Sequence, residues 1–247
     1  MNYRGGGAPE NSSLRGKETG FTLAEVLITI GIIGIVAAMT FPALIGHGKK
    51  VEASSRLKRF NAIMQQAIMM SEYDNGESVA WVRAGGDQKD ENGNRDYEAN
   101  GKITKDFFTM YLAKYFKYTS IVDGKNAVYD ENGEVQTKAK NTTIHLADGS
   151  SIVLHNGSCI DIHFDINGDS NPNKAGSDVF LFLICLDDSS RLLHCGSKNK
   201  AFCSYYFKYN KDGREKLLEV CKNNAAYCSS LLEYDNWEFK KDYPYKL

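Results

Sequence analysis

Two hydrophobic patterns follow one another along the first third of the chain. From Phe21 to Ile45, 25 residues carry Glu25 as their one charge, and residues 26–46, VLITIGIIGIVAAMTFPALIG, carry none. An apolar stretch of this length is enough for a helix to cross a hydrocarbon layer, which takes roughly 20 residues. Past Pro42 the pattern becomes a stripe. Phe60, Ile63, Met64, Ala67 and Ile68 recur at helical spacing, while Lys49, Lys50, Glu52, Arg56, Lys58 and Arg59 decorate other faces. One helix from Phe21 to about Tyr73 would reach on the order of 80 Å at 1.5 Å per residue. Its first half suits an apolar surrounding; its second half has a stripe to bury against a globular head. Gly31 and Gly34 lower helix propensity and Pro42 removes a helix hydrogen bond, so the expected bending zone lies between them.

Further along, residues 74–101 are rich in Gly, Asn and Asp and read mainly as a surface loop, with a short extended piece at 79–82. A second helix is predicted from Thr104, with Phe107, Phe108, Tyr111, Leu112, Tyr115 and Phe116 forming a core-facing stripe. Hydrophobicity then alternates at Ile144 and Leu146, at Ile152 and Leu154, and at Ile160, Ile162 and Phe164. This predicts an antiparallel meander whose apolar positions share one face when the turns at Asp148-Gly149 and Asn156-Gly157 have odd length. Residues 179–186, VFLFLICL, read as a central strand covered on both faces, and residues 191–195 as a further strand. Short helical patterns at 214–221 and 225–234 precede an aromatic tail with Trp237, Phe239, Tyr243 and Tyr245. The fold class is therefore α+β: a long N-terminal helix packed by its second half on an antiparallel sheet.

Composition adds three constraints. Thirty basic residues balance 31 acidic ones, so no overall field attracts polyanions, and the charge balance argues against a nucleic-acid-binding protein. All six cysteines, Cys159, Cys185, Cys195, Cys203, Cys221 and Cys228, fall in the last third, with no CxxC pair. An even count confined to one region reads as disulfides formed in an oxidising compartment rather than as a zinc site. Six cysteines allow 15 connectivities; sequence proximity favours Cys221 with Cys228 and Cys185 with Cys195. The chain shows no GxSxG, HExxH, GxxxxGK or GxGxxG, so nothing in it points to an enzyme or a required cofactor.

Two groups of polar residues invite a metal reading. His145, His155 and His163 lie on the polar face of the predicted strands, yet the register keeps them from converging, and they read as isolated exposed histidines. Asp165, Asn167, Asp169 and Asn171 place oxygen at every second position and Asp178 follows, which is how an EF-hand-type Ca²⁺ loop begins. Ser170 replaces the sixth-position glycine of such a loop, and Gly176 stands where its closing glutamate belongs. The other reading is an Asx-rich turn capping its own backbone.

Glu25 is the residue with the largest functional content. Translocon scales charge roughly 2.5–3.5 kcal/mol for an acid at mid-helix. A free α-amino group would offset it, and a cut between Gly20 and Phe21 would create one on the same helix face. The run Lys17-Glu18-Thr19-Gly20-Phe21-Thr22-Leu23-Ala24-Glu25-Val26-Leu27 resembles the processing signal of type IV pilins and type II secretion pseudopilins. The resemblance implies prepilin peptidase cleavage after Gly20, N-methylation of Phe21, and Glu25 as the carboxylate that meets the N-terminal amine of a neighbouring subunit. It also places Gly34 and Pro42 where helices of the family loosen or bend, and it makes a Ca²⁺ loop in the head a feature some pseudopilins share. Beyond about residues 15–45 the likeness is architectural.

The implied organisation is a prepilin leader at 1–20, a transmembrane and assembly helix at 21–45, and an extracytoplasmic head at 46–247. The slightly basic leader, with Arg4, Arg15 and Lys17 against Glu10 and Glu18, stays cytoplasmic. The implied function is that of a filament subunit in a type IV pilus-like or type II secretion pseudopilus polymer. Its partners are then like or related pilins, the prepilin peptidase and methylase, the inner membrane and the assembly machinery, with nucleic acid entering only through a DNA-uptake fibre. An alternative is an exported or membrane-anchored binding or adhesin module with an ordinary signal sequence, cut after Ala38.

Overall fold

The computed structural model describes Met1 and residues 20–83, 86–123, 128–129, 135–136, 142–205 and 207–247. Most of the leader, residues 2–19, lies outside the described residues. Helix α1 spans Leu23–Asn75 and therefore includes both hydrophobic patterns. The backbone divides into two compact units, Met1–Ile45 and Gly46–Leu247.

In the first unit the apolar residues of α1 face outward on every side: Leu23, Leu27, Ile30, Ile33 and Phe41 are all exposed. This helix is long and apolar enough to cross a membrane. The backbone stays helical through Gly31, Gly34 and Pro42.

In the second unit α1 buries Ala53, Leu57, Phe60, Met64, Ala67 and Ile68, a stripe that repeats at three and four residues and so keeps one helix face on the core. Beneath it lies a six-stranded antiparallel sheet in the order β1 (Tyr118–Asp123), β4 (Thr142–Leu146), β5 (Ser151–Asn156), β6 (Ile160–Asp165), β7 (Val179–Ile184) and β8 (Phe202–Ser204). The small ladder of β2 (Val128–Tyr129) and β3 (Val135–Gln136) lies between β1 and β4 in sequence. Ile144 pairs with Ile152, Ile152 with Phe164, Leu154 with Ile162, and Phe164 with Phe180, so the alternating positions do share one face. The Phe60 ring stacks on Phe164 at 3.9 Å and meets Phe182 edge-on at 5.1 Å, which pins the helix to the middle of the sheet.

The continuous apolar run of β7 has a simple cause. Phe180, Phe182 and Ile184 face the α1 core, while Val179, Leu181 and Leu183 face clusters built from the cysteines, Ala226, Tyr205 and Phe207. The same covering buries His163, correcting its reading as an exposed residue; burial and the charge of His155 push its imidazole down to about 4. His155 instead pairs with Asp161 at 3.3 Å.

Two element boundaries also differ from expectation. Helix α2 spans Tyr97–Tyr111, starting seven residues before Thr104, because the Asp96 side chain caps it by accepting from the N–H groups of Glu98 and Ala99. Residues 191–195 form a π-helical turn rather than a strand. The Arg191 guanidinium is drawn inward there, donating to the Cys185 carbonyl at 2.9 Å and to the Ser78 hydroxyl at 2.7 Å. The loop before α2 is held by Arg83, which donates to Asn156 Oδ1 at 2.8 Å and to the carbonyls of Gly157 and Ser158 at 2.6 and 2.8 Å. Two short helices, α3 (Arg214–Asn223) and α4 (Cys228–Tyr234), then lead into the aromatic tail.

Candidate functional site

The candidate assembly site is the start of α1. Gly20 and Phe21 precede the first helical residue and are exposed, so the peptide bond between them lies in non-helical chain. Thr22 and Glu25 form a reciprocal cap. The Thr22 N–H and hydroxyl each donate to Glu25 Oε2 at 2.8 Å, and the Glu25 N–H donates to Thr22 Oγ1 at 3.2 Å. This is the S/T-x-x-E capping box, which satisfies donors a helix start otherwise leaves unpaired. Thr22 is a site residue that the reading of cleavage and charge missed, although the Thr-x-x-Glu spacing was available in the sequence. Both of these bonds to the carboxylate fall on Oε2. Around Gly31 and Gly34 there is nothing within 4 Å of where a Cβ would stand.

The six cysteines are all paired: Cys159–Cys185, Cys195–Cys203 and Cys221–Cys228. The proximity pairing of Cys221 with Cys228 holds, and that of Cys185 with Cys195 does not. The register explains the difference. Ile160 lies opposite Ile184, so the flanking Cys159 and Cys185 come together across β6 and β7 with Cα atoms 4.5 Å apart. Each closed loop is worth roughly 2–4 kcal/mol.

The loop between β6 and β7 brings the other candidate residues into one region without aiming them at one point. Asp165 and Asp178 are buried, whereas Asp169 and Asn171 are exposed. Asp165 Oδ1 accepts from the Asn167 N–H at 3.0 Å. Asp178 accepts from the N–H groups of Lys174 and Asn173 at 2.6 and 2.8 Å. Burial pushes the Asp165 carboxyl up to about 7; the charges of Asp178 and Asp169 add to this, and the N–H groups of Asn167 and Gly168 oppose it. The loop presses on the β4–β5 turn: Gly168 has φ +65°, and a Cβ there would stand 2.6 Å from the Gly149 carbonyl oxygen. Arg56 of α1 spans both turns, donating to the carbonyls of Asp148 and Ile166 at 3.2 and 2.9 Å.

Comparison with known proteins follows the same division of the chain. Residues 15–41 match the model of the prokaryotic N-terminal methylation motif, and residues 43–247 match that of a family of unknown function, DUF6613. The chain is also similar to the type II secretion system core protein G of Vibrio cholerae serotype O1, with 36% identity over 59 residues. That similarity covers 24% of this chain and 40% of the relative. No solved structure matches the chain. The head makes up most of the molecule and carries the family match, while the helix start bears the prokaryotic N-terminal methylation motif; the chain belongs to the family of unknown function DUF6613.

Proposed function

We propose that the protein is a structural, non-enzymatic filament subunit, cleaved after Gly20, N-methylated on Phe21 and polymerised through α1. The observation that carries this reading is the placement of Glu25 four residues after Phe21, at the head of a helix with outward-facing apolar residues on all sides. A carboxylate in an apolar filament core is costly unless paired, so subunits dock in the register where a neighbour's new amine meets it. The methylation motif and the similarity to a pseudopilin support the reading. Before assembly the helix anchors the chain in the inner membrane. The head is then extracytoplasmic, a location that the three disulfides fit.

Mass spectrometry of the mature chain tests the processing step. A first residue of N-methylated Phe21 is the expected result, whereas a chain that begins at Met39 would identify an ordinary signal sequence and overturn the proposal. Glu25→Ala tests the assembly step: membrane insertion and head folding stay intact and filaments disappear by electron microscopy. Normal filaments from this variant would remove Glu25 from the mechanism.

A further inference from the structure

Among the described residues, the 165–178 loop is where oxygen ligands gather most densely, and the family resemblance implies Ca²⁺ there. The residues present do not fit a calcium cage. Counting Asp165 as the first position, the twelfth is Gly176, with φ +76°. A Cβ on Gly176 would stand 2.8 Å from the Tyr245 ring, so the aromatic tail occupies the space a closing glutamate needs. Asp178 turns both oxygens to backbone N–H groups, and Asp169 and Asn171 are exposed. No group of three or more His, Cys, Asp or Glu side chains is placed to hold a metal among the described residues.

What fills the centre is an amide. The Asn173 side chain lies with one end 3.0 Å from Asp165 Oδ2, 3.3 Å from the Gly168 carbonyl oxygen and 2.7 Å from the Ser170 carbonyl oxygen. All three neighbours are acceptors, so the end that faces them is the donating –NH₂, which has two protons to share among them. Backbone geometry prepares this placement. Asn173 has φ +49°, a region that asparagine tolerates better than most residues, and its own N–H is anchored on Asp178. The chain thus folds its own donor among the oxygens of the loop.

We propose that the Asn173 amide closes this loop in place of a divalent cation, so that the head folds and keeps its stability without metal. The inference concerns the head alone and stands apart from the filament reading. A neutral amide suits a cage with a single carboxylate, because calcium affinity depends on the number of charged ligands that converge. It also makes the loop's stability insensitive to the calcium level of its compartment.

The test is thermal unfolding of the full-length chain in detergent, in chelator and in millimolar CaCl₂, with metal content measured on the untreated protein. The wild-type midpoint is expected to be the same in both conditions, with no stoichiometric metal. A wild-type midpoint that falls in chelator and returns with Ca²⁺ would overturn the proposal and make Asn173 a ligand through its carbonyl oxygen. Asn173→Asp places a second carboxylate where the donors stood, and its midpoint in chelator should drop by about 4–8 °C, the loss expected for two buried hydrogen bonds. That drop supports the role of the amide whether or not Ca²⁺ restores stability. An Asn173→Asp chain as stable in chelator as the wild type would overturn it.

Discussion

The two halves of α1 are the same secondary structure under opposite rules. Between Leu23 and Ile45 apolar side chains such as Leu27, Ile30 and Ile33 are exposed around the helix; from Gly46 to Asn75 one apolar stripe, running from Ala53 to Ile68, is buried against the core. An all-round apolar helix offers no single face to a core of its own chain, so an apolar surrounding suits it on every side. A striped helix completes a core. The contrast gives folding of the head to the second half and, under the proposed filament reading, assembly to the first, and it predicts that substitutions in each half will be read by different experiments.

The largest break in that comparison should come from Phe60. Phe60→Ala removes a ring that touches Phe164 and Phe182 and should cost the head about 3–5 kcal/mol in denaturant unfolding. Ile33→Ala, at an exposed position of the first half, should leave the unfolding of the head unchanged. Equal losses for the two variants would break the division. Next in size is Gly168→Ala. The positive φ and the approach of the Gly149 carbonyl together should cost roughly 2–4 kcal/mol, again in the head alone.

Acidity sharpens the comparison, since the first half holds Glu25 as its one side-chain carboxylate and the head holds many. Asp165 is raised to about 7 by burial, so the folded head binds a proton that the unfolded chain releases near pH 4. Its contribution to stability is therefore full below about pH 4 and is lost as the pH rises through 7. Asp242 has the opposite sign. Two hydrogen bonds from Arg214 hold its carboxyl down to about 2, so its contribution is present above about pH 4 and lost as the pH falls toward 2. Melting temperature against pH should show both flanks, with Asp165→Asn flattening the alkaline one and Asp242→Asn the acidic one.

The smallest effect is expected at Thr22. Thr22→Ala removes the reciprocal cap and should cost the first turn of α1 about 1 kcal/mol. It should leave the melting of the head untouched. Hydrogen exchange at residues 22–26 would detect the fraying, and unchanged exchange there would mean that the cap holds nothing.

Much of this molecule was legible before any coordinates. The stripe on α1, the core face of the meander and the doubly covered β7 follow from periods of 3.6 and 2, which a linear pattern displays. The candidate assembly site was legible for the same reason: Gly20, Phe21 and Glu25 lie within six consecutive residues. Thr22 was equally local and still went unread, because the cap and the processing signal share the same few residues. The start of α2 was obscured by Asn100 and Gly101, poor helix formers that the Asp96 cap and a buried position tolerate.

What the chain determines by itself is its local chemistry: a helix whose first half must find apolar company, strands with one face inward, and a carboxylate four residues after Phe21. Tertiary structure alone decided that Cys159 meets Cys185 and Cys195 meets Cys203, that His163 is covered, and that the Tyr245 ring takes the space above Gly176. Each of these joins residues through strand register or through the packing of the C-terminal segment. Spacing along a chain fixes which face a side chain occupies, but the neighbour across that face is set by where the rest of the chain packs.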